Sequence, residues 1–376
     1  MTRLNLIYSL LLLVLFSCKT GDTKQENPPV EARQVISLNQ DWKTAREGQE
    51  ILKDTSGIEN VSFDDSSWEN VEVPHNWDQY YGYRRMKHGN LHGTAWYRKE
   101  LELDAENNEK RHFLFFEGVG SYATVWVNGE KVGSHKGGRT SFTLDITEAI
   151  DFNGQNTITV KAAHPPFIAD LPWVCGGCSG EWGFSEGSQP MGIFRPVSLV
   201  VTNDIKIEPF GVHIWNDRNI SEERAQLYVE TEIKNYGNAA EEIEVINQLY
   251  DDNGTSVAET SGNLNLQHGN PEVLKQELPL IENPNLWSPE DPYLYNLVTL
   301  IKKGDKVIDK IETSYGIRWI SYPHNRQDGD QRFFLNGKPY FINGTCEYEH
   351  MMGKSHSFTE EMVGARVDQM IAGGFN

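Results

Sequence analysis

Apolar and polar residues alternate with a period of two through most of this chain. In Tyr122-Ala123-Thr124-Val125-Trp126-Val127, Tyr122, Thr124 and Trp126 fall on one face and Ala123, Val125 and Val127 on the other. This is the repeat of a strand with a buried face. Asn128-Gly129 follows, a pair suited to positive φ, and Lys131-Val132 resumes the run, so a hairpin is predicted. Leu38, Trp42 and Trp68 lead into Val71–Trp77. Further short strands are read from Thr94–Leu103, Phe113–Val119, Phe142–Ile146 and Ile158–Val160. Short strands between turn signals predict a β-sandwich over residues 35–203. The pattern recurs over 204–316, through Gln226–Ile233, a turn at Asn235–Asn238, and Glu244–Tyr250 ending at Asp252-Asn253-Gly254. An immunoglobulin-type sandwich is expected there. Its role is read as a spacer, and Trp96 and Trp126 are read as core packing.

The period changes over 317–376. Arg332–Leu335 and Pro339–Ile342 flank Asn336-Gly337, the strongest short hairpin signal. Asn343–His350 then sets Glu347, Tyr348, Glu349 and His350 at the end of a predicted strand, where barrel enzymes place chemistry. Val363, Val367, Met370 and Ile371 repeat at helical intervals, Ser357 and Glu360 have capping-box spacing, and Gly373-Gly374 suits a helix stop. Phe375-Asn376 would open a second strand. One strand and one helix cannot close a (β/α)₈ barrel, which takes roughly 250 residues.

Length adds that 376 residues make two to three domains at roughly 150 residues each. The formal charge of −20, with no basic cluster, argues against nucleic acid and anionic membrane as partners. Residues 1–18 read as an export signal: Arg3 precedes the apolar run Leu4–Phe16, too short for a ~20-residue span. Leu15-Phe16-Ser17-Cys18 looks like a lipobox, which would make Cys18 the lipidated residue and the protein an envelope lipoprotein, periplasmic or held at the outer membrane or cell surface. Residues 19–34 are polar, with Pro28-Pro29, and read as a tether. A plain secretory signal is the alternative.

Between Pro165 and Met191 lies a long glycine-rich stretch with Trp173, Cys175, Cys178, Glu181, Trp182, Phe184 and Glu186. Its length suggests function and its aromatics argue against disorder. In an exported protein Cys175 and Cys178 are expected as a short disulfide. Free thiols are second, and a metal last, since two cysteines make half a tetrahedral zinc site.

Several strings carry a resemblance. Pro74-His75-Asn76-Trp77, Glu117–Ile146 with Trp126-Val127-Asn128-Gly129, Gly192-Ile193-Phe194-Arg195, Leu286-Trp287-Ser288-Pro289, Gly316-Ile317-Arg318, and Gly344 with Glu349 ahead of Gly374-Phe375-Asn376 together resemble glycoside hydrolase family 2, the β-galactosidases, β-glucuronidases and β-mannosidases. The resemblance implies a jelly-roll sugar-binding domain over 35–203, an immunoglobulin-like domain over 204–316, and the first βα unit of a truncated TIM barrel over 317–376. It implies that Glu186, six residues before Gly192 where Asp is usual, lines the site with Trp182, Tyr348 and Glu349. Tyr348 stands where the family usually has His, and Cys346 where it has Asn, which bears on the sugar preferred. A retaining mechanism is implied, with a nucleophile and an acid/base roughly 5–5.5 Å apart. In the family both are glutamates on later barrel strands. Glu347 and Glu349 would share a strand face, but strand-one residues bind sugar or support the site, so no catalytic residue is expected in this chain and the chain alone is expected to be silent. The parent reaction is hydrolysis of a β-linked glycoside, a β-galactoside first. No cofactor is implied as required; in some members a Mg²⁺ or Na⁺ ion sits near the site, and no ligand cluster in this sequence compels one. A non-catalytic carbohydrate-binding lipoprotein is the main rival, and a redox protein using Cys175 and Cys178 the third reading.

Overall fold

In the computed structural model, which describes residues 32–77, 91–103, 105–166, 168, 190–322, 327–346, 354 and 356–376, the strands Gly93–Leu101 and Asn156–His164 pair antiparallel over their whole length, Gly93 opposite His164 and Leu101 opposite Asn156. They are the centre of a six-stranded sheet completed by Trp42–Arg46 and Glu69–Val71 on one side and Tyr122–Val127 and Glu130–Lys136 on the other. A four-stranded sheet lies against it, ordered Arg33–Ser37, Val197–Thr202, Arg111–Phe116, Phe142–Asp145. The alternation expected from the sequence is what packs them. Ala123, Val125 and Val127 point inward with Ile158, Val160 and Ala162, and meet Leu114, Phe116, Val197, Leu199 and Val201 of the other sheet. Each large side chain so buried stabilises the fold by roughly 1.5–3 kcal/mol. Asn128 and Gly129 both take positive φ, as the predicted hairpin requires.

The other face of the six-stranded sheet is also partly covered. Ala45, Leu52, Ile58, Trp68 and Trp96 form a second cluster, against which Phe63 and Trp126 pack. Trp96 and Trp126 stack at 5.6 Å, and the Trp96 indole donates to Glu47 Oε1 at 2.9 Å. Both tryptophans pack in the fold.

A second sandwich follows. Ile205–Asn216, Leu227–Asn235 and Glu272–Glu277 form three strands; Ser256–Leu266, Glu241–Tyr250, Tyr295–Lys303 and Lys306–Tyr315 form four. Two apolar clusters fill it, one around Leu227, Val229 and Leu297, the other around Ile207, Ile233 and Ile301. The joint between the sandwiches is charged, and its Asp309 is fully buried. Arg33 grips Asp309 with two bonds of 2.8 and 2.7 Å and also donates to the Ile207 carbonyl, while Asp309 accepts the Ile207 N–H. Arg111 reaches Asp204 at 2.7 Å and the Tyr236 carbonyl at 2.8 Å. Every oxygen of Asp309 thus has a donor, which is the condition under which a buried charge is tolerated.

The last segment hangs on Trp287. Its N–H donates to Ile317 and its carbonyl accepts from Asn336 Nδ2, both at 2.9 Å. The Arg318 guanidinium lies 4.8 Å over its ring. Asn336 and Gly337 take the predicted positive φ and close the hairpin Phe334–Leu335/Lys338–Pro339. Among the described residues beyond it, 340–346 form no regular strand, contrary to expectation; a strand needs a partner ladder, and here Asn376 supplies only a few isolated bonds. It donates through its N–H to Asn343 O and through its side chain to Phe341 O, and accepts the Asn343 N–H at 2.8 Å. The expected helix is Glu360–Ala372. Its cap is Thr359, whose hydroxyl accepts from Met362 N at 3.3 Å. Ser357 is not the cap, because tertiary packing buries it, with His356, in the preceding turn. Gly374 ends the helix at φ 81°, and Phe375 N returns to Met370 O.

Candidate functional site

Polar residues gather where the 165–190 stretch leaves and re-enters the first sandwich. On the exit side, residues 75–77 run beside 191–193: His75 N donates to Ile193 O at 2.7 Å, Trp77 N to Met191 O at 2.9 Å, and Met191 N to Asn76 Oδ1 at 2.9 Å. His75 Nδ1 and the Tyr97 hydroxyl are 2.8 Å apart, and the Trp77 indole donates to Thr44 Oγ1. Gly192 is required here: its φ is +139°, and a Cβ would run into the Tyr97 hydroxyl and the His75 carbonyl. Gly120, its ladder partner, is closed off in the same way by Pro190.

On the entry side, His164 ends its strand fully buried. Its Nδ1 lies 3.0 Å from Ser121 Oγ, and its ring stacks on His92 at 4.9 Å. Burial, then the neighbouring His92, lowers the His164 pKa to about 3. Burial, then the Lys354 ammonium, lowers that of His75 to about 4. Burial raises the Tyr97 phenol above its ordinary value. All three are therefore neutral near pH 7 and serve as fixed hydrogen-bonding groups, not as proton carriers tuned to neutrality.

The chain following Tyr348 and Glu349 returns to the same end of the sandwich. His356 is fully buried, and its carbonyl accepts from Arg195. The Arg195 guanidinium lies between two rings, 5.0 Å from Phe194 and 5.2 Å from Phe358. Beside it a groove of about 530 Å³ is lined by Glu117, Arg195, Pro196, Phe358 and the helix residues Met362 and Val363, among others. Burial raises the Glu117 pKa, partly offset by Arg195.

Of the site residues expected from sequence, Trp182, Glu186, Tyr348 and Glu349 lie outside the described residues, as do Cys18, Cys175, Cys178 and Glu347. What the structure brings together is their attachment points: His164 and Met191–Arg195 for one stretch, His356–Phe358 for the other. Cys346 is exposed. Among the described residues no group of three or more His, Cys, Asp or Glu could hold a metal ion. Sequence reading missed the pairs His75–Tyr97 and Ser121–His164 and the contact of Arg195 with His356. The signal available was polar residues inside or ending apolar strands, next to glycines with no turn to make.

Two family models match in succession: "Glycosyl hydrolases family 2, sugar binding domain" over residues 33–203 and "Glycosyl hydrolases family 2" over 207–318. The chain belongs to glycosyl hydrolase family 2. Members similar to it include a beta-glucuronidase of Formosa agariphila, 29% identical over 330 residues, covering 83% of this chain and 32% of that protein. A beta-galactosidase of Thermoanaerobacter pseudethanolicus is 30% identical over 320 residues, covering 84% and 39%. A crystal structure of a Bacteroides uniformis beta-glucuronidase superposes with a TM-score of 0.77 at 26% identity, over 92% of this chain and 39% of that one. The chain thus spans 32–39% of the length of these family 2 proteins, and the match covers the sandwich-bearing part.

Proposed function

We propose that this chain forms the sandwich scaffold of an exported, retaining β-glycosidase, together with the opening βα unit of its barrel. The observation that carries this is the succession of the two family 2 matches along one chain, over residues 33–203 and 207–318. On this reading the first sandwich is the jelly-roll sugar-binding domain and the second, with its three and four strands, is the immunoglobulin-like domain. The helix Glu360–Ala372, whose Val363, Val367 and Ile371 are exposed, has the apolar face that a further barrel element would cover. Trp182, Glu186, Tyr348 and Glu349 line the sugar, while the nucleophile and the acid/base are glutamates supplied from outside residues 1–376. A covalent glycosyl intermediate forms on one and is released to water activated by the other. The substrate is a β-linked glycoside. A β-galactoside and a β-glucuronide are the two classes supported by the names of the relatives.

On this reading the displacement requires no cofactor, and a Mg²⁺ or Na⁺ ion near the site, as in some members, belongs to the full-length enzyme. Cys18 carries the lipid that anchors the protein to the cell envelope. The deciding experiment assays residues 1–376, and separately the product of the whole reading frame that contains them, against nitrophenyl β-galactoside, β-glucuronide, β-mannoside and β-glucoside. Turnover only by the whole product is expected. Turnover by residues 1–376 would overturn the assignment of the catalytic carboxyls; no turnover by either would overturn the glycosidase.

A further inference from the structure

Asparagine is followed by glycine at Asn128, Asn153, Asn253, Asn336 and Asn343. Such a pair is open to self-modification, because the glycine nitrogen can reach the asparagine side-chain carbon with no Cβ to crowd it. The fold treats the five pairs differently. At Asn128, Nδ2 donates to Ala149 O at 2.9 Å and to Asn156 Oδ1 at 2.7 Å, and Oδ1 accepts the Thr157 N–H at 2.9 Å. At Asn336, Nδ2 donates to Trp287 O at 2.9 Å and Oδ1 accepts the Trp319 N–H at 3.1 Å. Asn343 Nδ2 donates to Gly374 O at 2.8 Å. At Asn253 the side chain donates to Asp252 Oδ1 at 2.8 Å, and the glycine is engaged too: the Gly254 N–H donates to Asp251 O at 3.1 Å.

Asn153 differs from all four. It and Gly154 are exposed, in the turn that leads from Thr147–Ala149 into the strand Asn156–His164. Among the described residues, neither the Asn153 side-chain amide nor the Gly154 N–H has a hydrogen-bond partner; the Asn153 backbone N–H donates to Asp151 Oδ1 at 2.9 Å. The other oxygen of that carboxylate stands beside the glycine: a Cβ on Gly154 would lie 2.9 Å from Asp151 Oδ2. The mouth of the turn is closed by the fully buried Asn156, which accepts the Asp151 N–H at 2.8 Å and donates to Asp151 O at 2.9 Å.

We propose that Asn153 is a self-modification site, where the folded chain converts asparagine into aspartate and isoaspartate. The Gly154 nitrogen bonds to Asn153 Cγ and gives up its proton, the Cγ–Nδ2 bond breaks, and ammonia leaves. The cyclic imide so formed takes up one water. Opening at the side-chain carbonyl gives aspartate; opening at the main-chain carbonyl gives isoaspartate, whose backbone is one carbon longer. Either product adds a carboxylate next to Asp151. Asn156 fixes both ends of the turn, so the change stays local and the sheet behind it is kept. This inference stands apart from the glycosidase reading and needs no co-reactant but water.

The test holds the 376-residue chain in warm, mildly alkaline buffer and follows each Asn-Gly peptide by mass spectrometry, reading the replacement of an amide nitrogen by oxygen, with enzymatic methylation to count isoaspartate. Asn153 is expected to convert first, at least about tenfold faster than Asn128 and Asn336, whose attack geometry requires breaking two or more hydrogen bonds. In urea the five pairs should converge on similar rates. Gly154→Ala, at a glycine without positive φ, should slow Asn153 to the range of the pinned pairs, since the added methyl crowds both the nucleophile and Asp151. Conversion of Asn153 no faster than that of Asn128 or Asn336 in the folded chain overturns the proposal. So does a lead for Asn153 that persists unchanged in urea, or a Gly154→Ala chain that converts as fast as the parent.

Discussion

The two joints of this molecule are built on different principles. Between the sandwiches, Arg33, Asp309 and the Ile207 backbone form a closed set in which each buried polar group meets a partner, flanked by Arg111 on Asp204 and by Lys206 over Phe113. Between the first sandwich and the last segment, one guanidinium lies between two rings, and beyond it Phe341 is 84% and Ile371 64% exposed. The first joint is complete in this chain. The second holds a turn in place and leaves apolar surface without a cover among the described residues.

That contrast can be broken most severely at the first joint. Asp309→Ala strands the Arg33 charge and the Ile207 N–H, and is expected to destabilise the chain by about 3–5 kcal/mol, read as a fall in the urea midpoint. An effect with an upper bound of similar size comes from acid. His75 and His164 are held neutral by burial, with pKa values of about 4 and about 3. The folded chain therefore binds fewer protons than the unfolded one below the usual histidine value near 6.5. Their stability contribution is full above about pH 7 and is lost as pH falls through 6 toward 4 and below, at no more than about 1.4 kcal/mol per pH unit for each. Urea midpoints at pH 7.5 and 5 should show the drop, and His164→Gln should make it shallower; a flat profile would mean these rings are not held as described. Smallest of all, Val367→Lys on the exposed helix face should change the stability of the 376-residue chain by no more than about 0.5 kcal/mol, read from the urea midpoint. A cost comparable to that of Asp309→Ala would mean that this face is already covered.

Local features were legible in the sequence because they are set by local rules. The inward set Ala123, Val125 and Val127, the turns at Asn128-Gly129 and Asn336-Gly337, and the stop at Gly374 all depend on strand period or on positive φ at one or two residues. The helix cap was misplaced by two residues because the capping-box rule favours Ser357, with Glu360 three residues on, while the burial of His356 and Ser357 in the preceding turn leaves the role to Thr359. The strand expected over 340–346 failed for the same kind of reason, since a strand is a property of its neighbours. The contacts of His75, His164 and Arg195 each join residues far apart along the chain, and no periodicity announces them. Family strings pointed at His75–Trp77 and Gly192–Arg195 without saying that the first grips the exit of a loop and the second grips a distant turn.

The Arg33–Ser37 strand carries a practical lesson for trimming this protein. Pattern alone would start the first module at Val35, yet Arg33 both pairs with Thr202 at the sheet edge and supplies the cation for Asp309. A shortened version beginning at Val35 would retain nearly all of both hydrophobic interiors and still leave Asp309 buried without its cation, so that contacts such as those of Arg111 and Lys206 would be left to tether one module to the next.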